Sequence, residues 1–363
     1  VKRSSSSPED ISLILYTSGT TGNPKGVPRT HLAERSAAIA HIAQNSYTRN
    51  ESTLGVMPLY HTMGIRSLLA MSLVNGSFIA QPKFIAEETL ELIYKFQITS
   101  LYLVPTLFHE LIECSSFNKK KVISCKKLGF AGASMTDGLV KKIKKNFNAN
   151  QLINHYGSSE IYTFTIENDV FNKPGSAGKA GLNQMIRVVK INSNNPNEIT
   201  RVDEEGEIIA NMISEESFNG YLNKPEINKI SIIDGWYFTK DTGFFDKNGD
   251  LYVTGRVDDM IITGGENVSP VEIENILSLH KDVLEVVIVG LKDEKWGQKI
   301  SAFIKCSKKI NIKSLDEHCK KSKLANFKRP KSYFFIKEIP KSPTGKILRR
   351  KILSGEYELD NLT

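Results

Sequence analysis

The sequence has little that would staple or anchor a chain. Its four cysteines, Cys114, Cys125, Cys306 and Cys319, are scattered, with no CxxC and no Cys/His pair at zinc spacing. That excludes a disulfide framework and a structural zinc, and it makes a reducing cytoplasm the expected setting. The most apolar stretch, Leu68 to Ala80, is broken by Asn75 and Gly76 and is shorter than the roughly twenty residues a bilayer span needs. The first ten residues, VKRSSSSPED, hold neither an initiator methionine nor the apolar run of a secretory signal, so the chain reads as a fragment. Repeats and low-complexity tracts are absent. The charge excess is small, 48 − 40 = +8. It suits phosphate-bearing ligands but is far from histone-like, and no groove-binding module organises it, so no nucleic-acid partner is expected.

What is present is an α/β pattern. Between Ile11 and about Gly132, short β-rich runs (ISLILY, LGVM, SFIA, TSLYLV, KLGFAG) alternate with helical periods at Glu87–Phe96 and Gly138–Phe147. Between about Gly181 and Tyr252 strands separated by turn signals take over, which predicts a β-rich subdomain. Beyond Gly255 the pattern predicts a small α+β unit: a strand at Met260–Thr263, a helix at Pro270–Ser278, strands near Glu285–Gly290 and Ile300–Lys305, and a helix around Leu315–Lys321. The polar run Arg256–Asp259 separates the two units and reads either as a hinge or as an ordinary tight turn. The expected division is residues 1–257 and 258–363.

The first strand runs into Thr17-Ser18-Gly19-Thr20-Thr21-Gly22-Asn23-Pro24-Lys25-Gly26, which offers three glycines, four hydroxyls and one ammonium in ten residues. Glycines let backbone N–H groups turn toward an anion, hydroxyls add donors, and lysine adds a point charge. A surface loop is the bland reading, but a buried strand beside it favours a phosphate cradle. The GxxxxGK[ST] spacing is not met, because five residues after Gly19 comes Pro24 and five after Gly22 comes Val27.

This loop resembles the signature of the adenylate-forming superfamily of acyl-CoA synthetases, adenylation domains and luciferases. Further motifs follow in that superfamily's order: Pro58-Leu59-Tyr60-His61, Tyr156-Gly157-Ser158-Ser159-Glu160, Gly235 to Gly243, Gly255-Arg256-Val257-Asp258-Asp259 with Gly264-Gly265-Glu266-Asn267, and Pro340 to Lys346. The resemblance covers almost the whole chain. Runs such as RVDDMIITGGENVSPVEIE and LANFKRPK look closest to 4-chlorobenzoate and related aryl or short-acid CoA ligases.

The resemblance implies a layered α/β large domain with a β-rich subdomain and a small mobile α+β C-terminal domain. It also implies that the phosphate loop normally follows a long upstream segment, so this chain is expected to lack one. Thr17, Ser18, Gly19, Thr20, Thr21 and Lys25 would hold the β- and γ-phosphates of ATP, and Glu160 would bind magnesium, a hard cation that takes oxygen ligands. Tyr156 would stack on adenine beside Gly157, and Ser159, standing where threonine is commoner, would keep a hydroxyl for the phosphate. Gly132, Ala133 and Ser134 would line the adenine side. Asp241 would accept from the ribose hydroxyls with Arg256 as a second contact. His61 would border the acid site, and Lys346 would bridge the acid's carboxylate and the α-phosphate. Asp258 matches the hinge, and Gly265 the loop beside the pantetheine tunnel. Trp296, Phe327, Lys328, Arg329 and Lys331 suit either the CoA nucleotide or a solvated basic face.

The activity implied is an AMP-forming acid–CoA ligase using ATP, Mg2+ and CoA on a small or aromatic carboxylic acid. The alternatives are an adenylation domain that loads a carrier protein and a catalytically inert nucleotide-binding fragment. Substrate choice is placed loosely at His61, Thr62, Met63, Tyr102, Ala131, His155, Gly157 and Tyr162, where polar His155 and Tyr162 point toward a small or polar-substituted acid.

Overall fold

The protein was analysed as a computed structural model that describes residues 5–18, 24–342 and 347–360. Strands β1 (Ile11–Ser18) and β2 (Pro24–Thr30) pair antiparallel as a separate ribbon, with Thr17 opposite Lys25 and Ser18 opposite Pro24. This corrects the expectation of a ten-residue loop leaving a buried strand. Both flanks of the loop are strand, and β1 is largely solvent-facing, with Ile11 55% and Tyr16 66% exposed. A strand paired on one edge only, outside the main sheet, has no layer to bury both of its faces.

After α1 (His31–Gln44) the chain builds the parallel half of a large mixed sheet from β3 (Ser52–Gly55), β4 (Ser77–Ala80), β5 (Ser100–Leu103), β6 (Lys127–Phe130) and β7 (Gln151–Tyr156), in the order β4-β3-β5-β6-β7. Helices α2 (Thr62–Leu73), α3 (Ala86–Phe96), α4 (Pro105–Glu113) and α5 (Asp137–Asn146) form the connections. Every residue of β5 is buried, as expected for a parallel strand covered on both faces. The helices follow their end signals. Glu87 and Glu88 open α3 and Lys95 closes it, Pro105 occupies the first turn of α4, and Thr136 caps α5 by accepting from the Leu139 N–H. Leu90, Ile93, Phe108, Leu111 and Ile143 then pack on Leu101, Leu103, Leu128 and Leu152 as one core.

Beyond β7 the same sheet becomes antiparallel through β8 (Thr165–Glu167), β9 (Ser176–Ala180), β10 (Ile186–Val189), β11 (Gly206–Asn211), β12 (Ile232–Ile233, after the short helix α6, Pro225–Ser231), β13 (Trp236–Phe245) and β14 (Leu251–Arg256). The β-rich stretch legible in the sequence is therefore a continuation of the main sheet rather than a sheet of its own.

A 3-10 turn at Val257–Asp259 leads to a second sheet built from β15 (Ile261–Thr263), β16 (Glu266–Val268), β17 (Val283–Asp293), β18 (Gly297–Cys306) and β19 (Ser332–Phe335). Helices α7 (Pro270–Ser278) and α8 (Ile312–Lys321) cover it through Ile273, Leu277 and Leu315, and α9 (Arg349–Leu353) closes the described chain. No described helix is long and apolar enough to cross a membrane.

Candidate active site

The junction between the parallel and antiparallel halves gathers the polar side chains. At the carboxyl end of β7 the chain turns sharply through Gly157. A Cβ there would lie 2.1 Å from the Tyr162 carbonyl oxygen, so no other residue fits without moving backbone. The Ser158 N–H donates to the Ile161 carbonyl at 2.9 Å, and the Ser158 hydroxyl accepts from the Glu160 N–H at 3.2 Å. This turn presents Glu160, which is only 5% exposed. Its Oε1 accepts from the Tyr221 hydroxyl at 2.7 Å, and Tyr221 in turn lies 3.2 Å from the Tyr237 hydroxyl.

Lys25, on β2, places its Nζ 4.3 Å from the centroid of the Tyr221 ring. Burial pulls the Lys25 ammonium below the usual lysine range, the Glu160 carboxylate opposes that shift, and Arg256 adds to it. Lys25, Glu160 and Arg256 therefore share one electrostatic environment although they lie far apart in sequence.

The second half of the site comes from the paired strands β13 and β14, whose register sets Asp241 opposite Arg256. Asp241 Oδ1 accepts from Arg256 at 2.7 Å and Oδ2 from the Tyr156 hydroxyl at 2.8 Å. The Asp241 N–H donates to Thr239 Oγ1 at 3.0 Å. The Tyr156 ring meets the edge of Phe164 at 5.1 Å, and burial followed by the Asp241 charge holds its phenol well above the usual range, so it donates as a neutral hydroxyl. The arrangement places a charged acceptor, a forked cation and an aromatic ring on one side, with a carboxylate and an ammonium on the other.

Gly132, in the left-handed region at φ +83°, with half-buried Ala133 and exposed Ser134, follows β6, the strand beside β7. His61 caps α2, its Nδ1 accepting from the Met63 N–H at 3.3 Å, which leaves the ring's proton for Nε2. Ser159 is half-buried in the Glu160 turn. Gly19, Thr20, Thr21 and Lys346 lie outside the described residues.

In the second unit, Gly265 has φ +85°, and the exposed Trp296 ring packs 3.1 Å from the Cβ position of Gly264. Phe327 is exposed, but Lys328 is paired to Glu272 and Arg329 to Asp316, each at 2.7 Å. Lys328 and Arg329 are thus compensated within their own unit, whereas the Lys331 bond is a backbone one, its main-chain N–H donating to the Ile300 carbonyl at 2.8 Å.

Four of the expected pocket residues are interior. His155 is 1% exposed, bonded through Nε2 to Asn45 Oδ1 at 3.1 Å and packed against His41 and Tyr102. Tyr162 is 3% exposed, with Arg29 4.0 Å from its ring centroid. Strand alternation explains the first case: Tyr156 reaches Asp241 on β13, so His155 faces the opposite layer, toward Asn45. Burial, reinforced by Arg66, holds the His155 imidazole well below its usual range. Both side chains serve the interior, and the inference of a polar acid loses its basis. Met63 and Tyr102 are likewise core residues.

The donor set fits magnesium carried by a nucleotide. Glu160 is a buried carboxylate held by the Tyr221 hydroxyl, and no group of three His, Cys, Asp or Glu suited to a metal occurs among the described residues. Mg2+ commonly takes one or two carboxylates plus substrate phosphates and water. Four contributors escaped the sequence reading: Tyr221, Tyr237, Thr239 and Arg29. Tyr237 and Thr239 lay inside the quoted Gly235–Gly243 motif, and Tyr221 follows a glycine in a turn-rich stretch, but nothing local marks a tyrosine as a carboxylate's partner.

The chain matches the AMP-binding enzyme family over residues 1–222 and the AMP-binding enzyme C-terminal domain over residues 272–346. The 4-chlorobenzoate–CoA ligase of Arthrobacter sp is 34% identical over 95% of this chain and 66% of that protein. The long-chain-fatty-acid–CoA ligase of Bacillus subtilis is 34% identical over 96% of this chain and 62% of that protein. Among solved structures, ATP-bound MatB from Rhodopseudomonas palustris superposes with a TM-score of 0.87 at 25% identity, covering 96% of this chain and 69% of that one. The o-succinylbenzoate CoA synthetase of Bacillus subtilis with ATP and magnesium gives 0.81 at 26% identity, over 96% and 70%. The chain thus spans slightly less than two thirds of the length of these curated ligases. With both family domains matched and a relative 34% identical over nearly the whole chain, this chain belongs to the AMP-binding enzyme family, within the adenylate-forming superfamily.

Proposed function

We propose that the protein is the ATP-binding and catalytic part of an AMP-forming acid–CoA ligase acting in the cytoplasm on a small or aromatic carboxylic acid. The carrying observation is that Asp241, Arg256 and Tyr156 form one bonded group near Tyr221, whose ring lies against Lys25 and whose hydroxyl holds Glu160. In this reading Asp241 and Arg256 hold the ribose, Tyr156 flanks the base beside Gly132, Ala133 and Ser134, and Lys25 neutralises the phosphates. Magnesium, held by Glu160, would screen the charge that grows on pyrophosphate.

The acid's carboxylate oxygen attacks the α-phosphorus and the bond to pyrophosphate breaks, with Lys346 bridging the two anions. The CoA thiol then attacks the acyl carbon and AMP departs with the bonding pair. His61 borders the acid, while Gly265, Trp296, Phe327 and Arg329 belong to the CoA side. Residues 258–363 act as a unit that turns about Asp258 between the two steps.

The test is acid-dependent pyrophosphate release over a panel of aromatic and short-chain acids, with Lys346→Ala as control, followed by transfer to CoA or to a carrier protein. Release that needs acid and Lys346 supports the reading, and transfer to the carrier alone would select the adenylation-domain alternative. A folded protein that forms no acyl-adenylate from any acid would overturn it.

A further inference from the structure

Arg29 is completely buried, yet no motif accounts for it. It follows Lys25 by four residues on β2, so strand alternation puts Lys25, Val27 and Arg29 on one face. Val27 packs there with Ile161, Phe164, Phe218 and Tyr221. Arg29 NH1 donates to the Glu160 carbonyl at 3.0 Å and to the Glu216 carbonyl at 2.5 Å, and its Nε donates to Glu34 Oε1 at 2.8 Å. The guanidinium also lies over the Tyr162 ring, 4.0 Å from the centroid.

The two carbonyls belong to the two segments that build the carboxylate's surroundings. Glu160 heads one, and its carbonyl takes a second bond from the Phe218 N–H at 3.0 Å. The other segment runs through Glu216 to Tyr221, whose hydroxyl holds the Glu160 carboxylate. A single fork therefore ties the ribbon that carries Lys25 to the backbone of Glu160 and to the loop that presents Tyr221. Isolated burial of a charge is costly, and Glu34 supplies the compensating carboxylate. Lysine could not take this place, since one ammonium cannot sit both at Glu34 and at the two carbonyls on the opposite edge of the fork.

We propose that Arg29 is a positioning residue that sets Glu160 for the metal of a bound nucleotide by clamping the Glu160 and Glu216 carbonyls against strand β2. The proposal rests on the nucleotide-binding reading above. Its test is ATP affinity by calorimetry on this chain, with magnesium and with EDTA, for the parent, Arg29→Lys and Glu34→Gln. Arg29→Lys is expected to shrink the magnesium-dependent gain in affinity by about tenfold, the low end of losses typical for residues supporting a metal ligand, while affinity in EDTA stays within about twofold. Glu34→Gln, which removes the carboxylate that holds the guanidinium through Nε and so loosens the clamp, is expected to shrink it by a smaller factor than Arg29→Lys does. A merely structural role would lower the fraction of competent protein and leave the magnesium ratio unchanged. An unchanged ratio in whichever variant folds overturns the proposal. A parent that binds no ATP at all overturns the underlying reading instead.

Discussion

Tyr221→Phe isolates the contact that holds the carboxylate proposed to bind magnesium. The substitution removes the hydroxyl that donates to Glu160 Oε1 at 2.7 Å and keeps the ring under Lys25. A hydrogen bond to a charged group contributes about 1.5–3 kcal/mol, and its loss at a carboxylate that is only 5% exposed cannot be made good by bulk water. The Tyr237 hydroxyl, 3.2 Å from that of Tyr221, can swing toward the vacated position and offset part of the cost. We therefore expect a loss of about 2 kcal/mol in urea unfolding, the middle of the range for such bonds. Affinity for Mg·ATP should fall about thirtyfold if the same energy is needed to hold the carboxylate toward the metal. Tyr221→Leu also removes the ring beneath Lys25 and should cost about 0.5–2 kcal/mol more. The reasoning fails if the Phe variant unfolds within about 0.5 kcal/mol of the parent, the scatter of ordinary surface substitutions, or if the Leu variant behaves as the Phe variant does.

Lys25 deprotonates below the usual lysine range because it is partly desolvated, and in the proposed reading its charged form is the one that meets phosphate. ATP affinity should be flat while the ammonium is protonated and should fall as pH rises through its lowered pKa; Lys25→Arg should carry the plateau to higher pH, and coincident alkaline limbs would refute this. Asp241→Asn keeps an acceptor for Tyr156 but removes the charge facing Arg256, a pair whose Arg256 side chain is 33% exposed. Stability should change by no more than about 1 kcal/mol in thermal unfolding, as for solvent-screened pairs, while ATP affinity drops by one to two decades. Gly157→Ala drives a methyl onto the Tyr162 carbonyl oxygen, 2.1 Å away, and should cost about 3 kcal/mol or more in thermal or urea unfolding, the upper range for overpacking. A variant with parental stability would mean that the turn relaxes.

The parts of this molecule legible from sequence are those whose cause is local. Helix α7 at Pro270–Ser278 matches its prediction because proline, an amphipathic period and a following turn all lie within that window. Strand β5 was legible as the β-rich run TSLYLV, whereas its burial on both faces came only with the fold. Glu160, Asp241 and Arg256 were named because their neighbours form motifs, and the structure brings them to one junction. Contacts made across the fold were illegible. Nothing near Arg29 announces that Glu160 and Glu216, 131 and 187 residues further on, will offer it their carbonyls. His155 illustrates the converse: it was placed loosely in the acid pocket, but a strand sends neighbours to opposite faces, and the layer beneath α1 claimed it. The ribbon errs for the same reason, since whether β1 is covered depends on which elements flank it rather than on its own apolar pattern. Motifs thus identify the groups proposed to meet a ligand, whereas the groups that hold those in place are chosen by packing. The rigidity of the site should therefore be sought in residues such as Arg29 and Tyr221, which carry no signature of their own.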